Sequence, residues 1–556
     1  MLPASIATSV APETISKVTR LFNGSATDVV NELLRNARRA GAASITISTT
    51  GTPGSRLLHI ADDGSGIDDP ATVVTLGRSG WSDETRARED PAGMGVFSLA
   101  GRDVMIRSWS KAECQGWCAH IPASAWESCR PIAITNDPIQ RGTTITIRLP
   151  DEWARTLSVD LANAARHYPL PVTFDGLRLE RQPWLAGAVH VEDWNGSRIG
   201  IFREMHKSTS THDPRLNFHG VTIPCDLQRA TEIGGVVWTA RVDIIDTPEI
   251  QLVLPARKEA VQNAALTDLQ QAVRAALFRA IGAQPGHRLP FADWLEAESV
   301  GVSLPEAEAT LPLWTPRCAD SNNSYTSSEM VQDPSMVVMS GFDAIVEQPF
   351  SLALAGQNPF GGKLVEPEAR IAGYGWYDVL AKIEQIDFAI ERDGRRFTVS
   401  DSLEASPDED SGFADAITVE ATLSHAGASV TITLDSDIAF APDQFLCNSA
   451  DETVIYIRKG TTLSSADVAE LFERAVFEPH HDSGSDSYDT QQERFEREAM
   501  ARAIDLMEGS DAALEAAIRT QLQYHAWTIP ADRTVTIVAT RAGLEVTIAE
   551  LPTEAA

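Results

Sequence analysis

The chain has 556 residues, with 46 Lys and Arg against 78 Asp and Glu and a formal net charge of −32. A composition 43% hydrophobic and 22% charged excludes wholesale disorder, and the length suggests roughly three to four domains. No apolar run reaches the roughly eighteen residues of a membrane helix. The opening MLPASIATSVAPET has neither the basic flank nor the apolar stretch of a secretory signal. Six irregularly spaced cysteines fit a reducing compartment, so a cytoplasmic location without membrane contact is expected. The acid is unevenly placed: residues 1–150 carry 15 basic and 15 acidic side chains, whereas 301–556 carry 16 and 44. Such a half repels a polyanion, which disfavours nucleic acid as a partner.

In chain order, DVVNELLRNARRAG (28–41) has helical composition and a glycine stop. SITISTT and RLLHIAD alternate as two strands across the turn GTPGS. Residues 69–92 look irregular, and a helix is expected from about Gly95 through VFSLAG. The strands VMIRSWS, GWCAHIP and GTTITIRLP close a first domain at residue 150, an α+β sandwich with helices on one sheet face. A middle α+β domain over 151–300 is expected from GVTIPC, VVWTARVDII and IQLVLPA, followed by a long helix over 264–281. SNNSYTSS (321–328) has the composition of a linker. An acidic, mostly β domain follows over 301–480, with strands in FAIERDGRRFTVS, ITVEATLSH, SVTITLDS and TVIYIRK. Residues 490–556 hold an amphipathic helix in QQERFEREAMARAIDLMEG and a closing hairpin in RTVTIVATRAGLEVTIAEL. GQNPFGGKL misses P-loop spacing by one residue and ends in Leu364 where Ser or Thr is needed, so it is expected to be only a turn.

Three pieces of the first domain carry a possible chemistry. In ELLRNA, Glu32 and Asn36 are four apart and share a helix face, which suits a base and a Mg²⁺ ligand. In ADDGSGI, Asp62 ends a strand where its carboxylate can accept a hydrogen bond from an exocyclic amine. Gly64 and Gly66 beside it let the backbone approach a flat ligand. In AGMGVFSLAG, Gly93 and Gly95 precede a helix start, where backbone N–H groups attract phosphate. Each is weak alone; their order and spacing give them weight.

ELLRNARRAGAASITI, ADDGSGI, AGMGVFSLAG and RGTTITIRLP together resemble the GHKL ATPase superfamily. Its members include gyrase B, the ninety-kilodalton heat-shock chaperones, sensor histidine kinases and MutL-type repair proteins. The resemblance covers about residues 15–150 and implies the Bergerat ATP-binding sandwich. It makes Glu32 the general base for water and Asn36 the Mg²⁺ ligand. Asp62 becomes the reader of the adenine amine, with Gly64 and Gly66 beside the base and Thr143 supporting it. Gly93 and Gly95 become phosphate-binding glycines, and 77–92 the ATP lid. ATP and Mg²⁺ are the implied cofactors and slow ATP hydrolysis the implied activity. Two departures stand out: the lid has no lysine, and Asp63 replaces a frequent Asn, adding charge near the base site.

Only about 27 residues precede the first helix, and the first histidine, His59, lies in a strand, which argues against a histidine kinase. LPARKEAVQNAALTDLQ resembles the chaperone middle-domain segment that lends a cation to the γ-phosphate. Lys258 and Arg257 are equal candidates for that cation. The layout therefore points to the chaperone and MutL branch: a nucleotide-driven conformational clamp, homodimeric by family habit, gripping a client through its acidic half. Two rivals are a nucleotide-sensing interaction protein with little hydrolysis and a DNA-acting MutL- or gyrase-like ATPase.

Overall fold

Apolar residues at helical spacing bury one face of the helix α1, Ala26–Arg39: Ala26, Val29, Val30, Leu33, Leu34 and Ala37. Asp28 in its first turn and Arg38 and Arg39 in its last complement the helix dipole. The computed structural model to which this helix belongs describes residues 26–52, 54–75, 80–81, 85, 95–128, 131–205, 213–253, 259–322, 327–355, 357, 359–400, 410–441, 453–480 and 486–550. The protein is α+β, and it divides into one unit ending at Glu308 and another starting at Ala309. Gly93, Arg257 and Lys258, with most of the expected lid, lie outside the described residues.

In the first unit, α1 packs on a sheet of β1 (Ile45–Thr50), β2 (Leu57–Asp62), β3 (Val104–Ser110), β4 (Gln115–Ile121), β5 (Ile134–Asp137) and β6 (Thr143–Arg148). Ile45, Ile47, Leu58, Val104, Ile106 and Ile147 alternate inward, as a half-buried sheet requires. The sheet does not stop at Pro150. A second helix, α2 (Leu157–Arg166), packs beside α1, and β7 (Val172–Phe174) and β8 (Leu177–Arg178) extend the order to β5-β4-β3-β6-β2-β1-β7-β8. β7 runs parallel to β1, with Ile45 opposite Val172. Two bonds hold α1 in place: Thr27 Oγ1 donates to Asp160 Oδ1 at 2.9 Å, and the buried Tyr168 hydroxyl donates to the Leu34 carbonyl at 2.6 Å. Tyr168→Phe removes this bond and leaves the carbonyl its place in the helix, so it should cost about 0.5–1.5 kcal/mol, read as a lowered melting temperature; an unchanged melt would contradict this anchoring role.

The second layer of this unit has β9 (His190–Trp194), β10 (Ser197–Met205), β11 (Pro214–Phe218), β12 (Val221–Pro224), β13 (Ala230–Thr231) and β14 (Val236–Ile244). Their order is β12-β11-β14-β10-β9, with β13 on β14. Helix α3 (Ala264–Gly282) buries Leu266, Leu269, Val273 and Leu277 against Ile199, Ile201, Trp238, Ala240 and Val242. Its cap, Asn263, accepts from Leu266 N at 2.9 Å. A shorter helix, α4 (Phe291–Ser299), follows. IQLVLPA is not a strand in its described part, where one bridge, Leu252 to Ala260, is formed.

The second unit opens with β15 (Leu311–Pro312) and β16 (Met330–Val331), an antiparallel pair. SNNSYTSS falls in the stretch between these two strands, and its residues 323–326 lie outside the described residues. Next come β17 (Val337–Met339), α5 (Ala344–Leu354), β18 (Leu364–Val365), β19 (Ala381–Arg392), β20 (Arg395–Val399), β21 (Gly412–Ala414), β22 (Ala416–His425), β23 (Ala428–Asp435), β24 (Ile438–Ala441) and β25 (Val454–Arg458). They form one sheet, β18-β17-β19-β22-β23 with β20 on β19, and another, β21-β25-β24. GQNPFGGKL leads into β18: Lys363 pairs with Glu329 at 3.0 Å, and a Cβ on Gly362 would meet the Ser335 carbonyl at 1.6 Å. It is a packed turn. Helices α6 (Ser465–Val476), α7 (Tyr488–Glu508) and α8 (Ser510–Ala526) and the hairpin β26 (Arg533–Thr540) with β27 (Gly543–Glu550) end the chain as described. Among the described residues no helix is long and apolar enough to cross a membrane.

Candidate functional site

The C-terminal end of α1 meets the turn that follows β2. Ser65 N donates to the Ala40 carbonyl at 2.8 Å, and a Cβ on Gly64 would lie 2.7 Å from both that carbonyl and Ala40 Cβ. The short 3-10 helix Gly95–Leu99 packs against α1 as well. The helix expected after Gly95 is therefore one 3-10 piece, with Leu99 and Ala100 buried beneath it. The end of the helix that carries Glu32 and Asn36 thus meets the turn that follows Asp62, and the 3-10 piece beginning at Gly95 packs on the same helix.

Asp62 sits where β2 pairs with Thr143 on β6. Its Oδ1 accepts from Gly64 N at 2.9 Å, and among the described residues no Lys, Arg or His nitrogen lies within 4.0 Å of the carboxylate. Burial pushes the carboxyl above the ordinary aspartate range, with Asp63 adding to the push against the pull of the Gly64 and Thr143 amides. A half-buried carboxylate without a cation is costly for folding and marks a candidate binding group.

Beside it lies a buried hydroxyl pair. Thr143 Oγ1 and Ser108 Oγ are 2.8 Å apart, and Ser108 Oγ also accepts from Ile67 N at 2.9 Å. Ser108 is fully buried, and the sequence reading did not single it out. The glycines here are also required by the protein's own backbone. A Cβ on Gly66, at φ +80°, would stand 2.1 Å from the Trp109 carbonyl. One on Gly142, at φ +70°, would stand 2.0 Å from the Asp62 carbonyl. Both residues let one backbone segment cross another, so they shape the wall that holds Asp62.

Asp63 adds its charge beside Asp62 while its own carboxylate is engaged on the far side of the turn. Its Oδ1 accepts from Ala43 N at 2.7 Å and Ser44 N at 3.0 Å, and Arg141 stands 4.0 Å from Oδ2. Burial would raise its carboxyl, but the Ser44 and Ala43 amides, the Ser44 hydroxyl and Arg141 outweigh that and hold it low. Asp63 ties the 43–44 turn to the 62–66 turn. His59 is likewise occupied within the sheet, its ring nitrogens 2.9 Å from Thr146 Oγ1 and 2.7 Å from Thr50 Oγ1.

Glu32 lies 3.6 Å from Arg35 Nη1 and 3.8 Å from Arg39 Nη1. Arg39 Nη1 also donates to Asn36 Oδ1 at 3.4 Å. Both arginine side chains are under a tenth exposed. They follow from helical spacing, since 32, 35, 36 and 39 share a face. Arg39 thus touches both the carboxylate and the amide that the spacing had paired.

No protein-family model matches the chain, and neither does any curated protein. Among solved structures, the ATPase region of Saccharomyces cerevisiae topoisomerase II is similar over 43% of this chain and 78% of that one, at 9% identity and a TM-score of 0.32.

Proposed function

We propose that the first layer is a GHKL-type ATP-binding module and that the chain hydrolyses ATP slowly. The observation that carries this is Asp62: a half-buried carboxylate at a strand end, with no Lys, Arg or His nitrogen within 4.0 Å among the described residues, beside the Ser108–Thr143 hydroxyls and on a turn that packs on the end of the helix carrying Glu32 and Asn36. Its free acceptor capacity suits the exocyclic amine of adenine, with Thr143 supporting the base. Gly93 and Gly95 would line the phosphates, and Glu32 would take the proton of the attacking water. Asn36 Oδ1 is an oxygen donor of the kind Mg²⁺ takes, and its 3.4 Å bond to Arg39 is long enough to be displaced. Mg²⁺ held there would neutralise phosphate charge. Lys258 or Arg257 would approach the γ-phosphate when the lid closes. Lid closure and domain docking would then work as a clamp on a client held by the acidic second unit. A homodimer belongs to this reading, with the exposed Leu514, Ile518, Leu522, Val546 and Ile548 as surface for a second copy.

The geometry around Glu32 favours a second reading of the same cleft. Two arginines within 4 Å engage the proposed base, as a nucleotide sensor that barely hydrolyses would require.

Adenine binding needs Asp62 ionised, so ATP affinity is expected to fall on acidification through a pH above the ordinary aspartate range. Folding has the opposite sign. A raised carboxyl stabilises the fold below its unfolded value, and that stabilisation is lost as pH rises through the folded value. Calorimetric titration of ATP across pH, in the wild type and Asp62→Asn, tests this; a wild-type affinity independent of pH down to ordinary aspartate titration would contradict it.

A further inference from the structure

The face of the second sheet turned away from α3 carries an unusual pair. β11 and β14 run parallel, with Leu216 opposite Val242 and Asn217 opposite Asp243. Just before the first of these pairs, where β11 is irregular between Pro214 and Leu216, Arg215 and Arg241 of the two neighbouring strands line one cavity together. Adjacent strands lie roughly 4.8 Å apart, and like charges placed side by side across a sheet destabilise it. The facing pair beyond shows the ordinary solution, Asn217 Nδ2 donating to Asp243 Oδ1 at 2.7 Å.

Among the described residues no ion pair neutralises this arginine cluster, although Asp213 and Glu204 act on Arg215 from a distance. Arg215 and Arg241 are half-buried, and Arg166 joins them from the end of α2. Among the described residues no carboxylate oxygen lies within 4.0 Å of any of the three. Burial first, and Arg241 second, push the Arg215 guanidinium below its usual value, and Arg241 acts on it more strongly than Asp213 or Glu204 does. Arg241 is held in place by rings, 4.6 Å from the Phe202 centroid and 5.3 Å from that of Trp184. Trp184 is itself fixed by its Nε1 donating to the Val242 carbonyl at 2.9 Å. His167 closes the wall, 4.9 Å from Trp184 and with Nδ1 2.9 Å from the Gln182 carbonyl.

These groups line a cavity of about 480 Å³ between α2 and the second sheet. That is larger than an inorganic anion needs and within the range of small-molecule sites. Glu204, Asp213 and the Thr222 and Thr239 hydroxyls also line it. Three guanidinium groups suit a dianionic oxyanion, which they can bind through paired N–H groups. The carboxylates and hydroxyls suit the hydroxyl groups of an attached polyol. We propose that this cavity is a binding site for a small phosphate monoester of a polyol, gripped at its phosphate by Arg215, Arg241 and Arg166. It shares no residue with the Asp62 cleft and stands whether or not that cleft binds ATP.

The test is calorimetric titration of the full chain with ribose 5-phosphate, and with ribose as the uncharged control. Saturable binding of ribose 5-phosphate, none of ribose, and affinity about tenfold or more weaker in Arg215→Gln and in Arg241→Gln are expected. Arg181→Gln, an exposed arginine of the neighbouring cavity, should bind as the wild type does, and so should Asp62→Asn. Ligand-free Arg215→Gln is expected to melt no lower than the wild type, because the repulsion between Arg215 and Arg241 is relieved; this separates lost binding from lost folding. Absence of binding, equal binding of ribose, or an equal loss in Arg181→Gln would overturn the proposal. Loss in Asp62→Asn would also overturn it, by placing the ligand in the other cleft.

Discussion

Glu32→Gln is expected to bind ATP as the wild type does and to lose turnover by about 10²–10⁴-fold, the usual contribution of a positioned general base. Glutamine keeps the shape and an acceptor oxygen toward Arg35 and Arg39, which stand 3.6 and 3.8 Å from the carboxylate. What it removes is the ability to take a proton. Binding and turnover therefore separate: a loss of affinity would make Glu32 a structural partner of the two arginines. Equal, negligible turnover in both proteins would instead favour the nucleotide sensor. Steady-state phosphate release beside equilibrium ATP binding gives both readouts.

The second large effect concerns folding. Gly142→Ala is expected to cost about 3–5 kcal/mol, from a strained backbone and from overpacking together. Its Cβ would fall 2.0 Å from the Asp62 carbonyl, and neither β2 nor β6 can yield without breaking the rung between Asp62 and Thr143. Gly41→Ala is the matched control. Gly41 has nearly the same φ, +68° against +70°, but a Cβ there meets nothing within 4 Å. It should cost only the backbone term, about 1–2 kcal/mol. Calorimetric melting of both variants checks the difference, and equal costs would mean that crowding at Gly142 is relieved elsewhere.

Much of the first layer was legible because half-buried strands alternate. VMIRSWS is β3, and SITISTT and RLLHIAD give β1 and β2 to within a residue. The same holds for the closing hairpin, where Arg533 pairs with Glu550. Other features depend on tertiary packing that a linear pattern does not carry. α5 contains Pro349, a residue that argues against a helix interior, yet the burial of Val346 and Phe350 outweighs the missing N–H. IQLVLPA has strand composition, but its described part makes one bridge, because composition does not supply a neighbouring edge.

At the site, residue types and spacing singled out Glu32, Asn36 and Asp62, and the family resemblance added Thr143. The reason for each glycine did not follow from them. Gly64, Gly66 and Gly142 are required by protein backbone at 2.0–2.7 Å, a crowding visible only in three dimensions. Arg39 could have been found from its position seven residues after Glu32 on the same helix face. The meeting of Arg215 and Arg241 in one cavity could not, since it depends on two strands distant in sequence lying side by side.

The central claim is that Asp62 reads the amine of adenine, and it is tested most directly by equilibrium binding. Calorimetric titration at neutral pH would compare ATP with inosine triphosphate, whose ring bears a carbonyl in place of the amine, in the wild type and Asp62→Asn. The account predicts that the wild type binds ATP and strongly prefers it to the inosine analogue. It also predicts that Asp62→Asn loses about 10–100-fold in ATP affinity, as removal of a charged acceptor does. No ATP binding, or equal affinity for the two nucleotides, would contradict it.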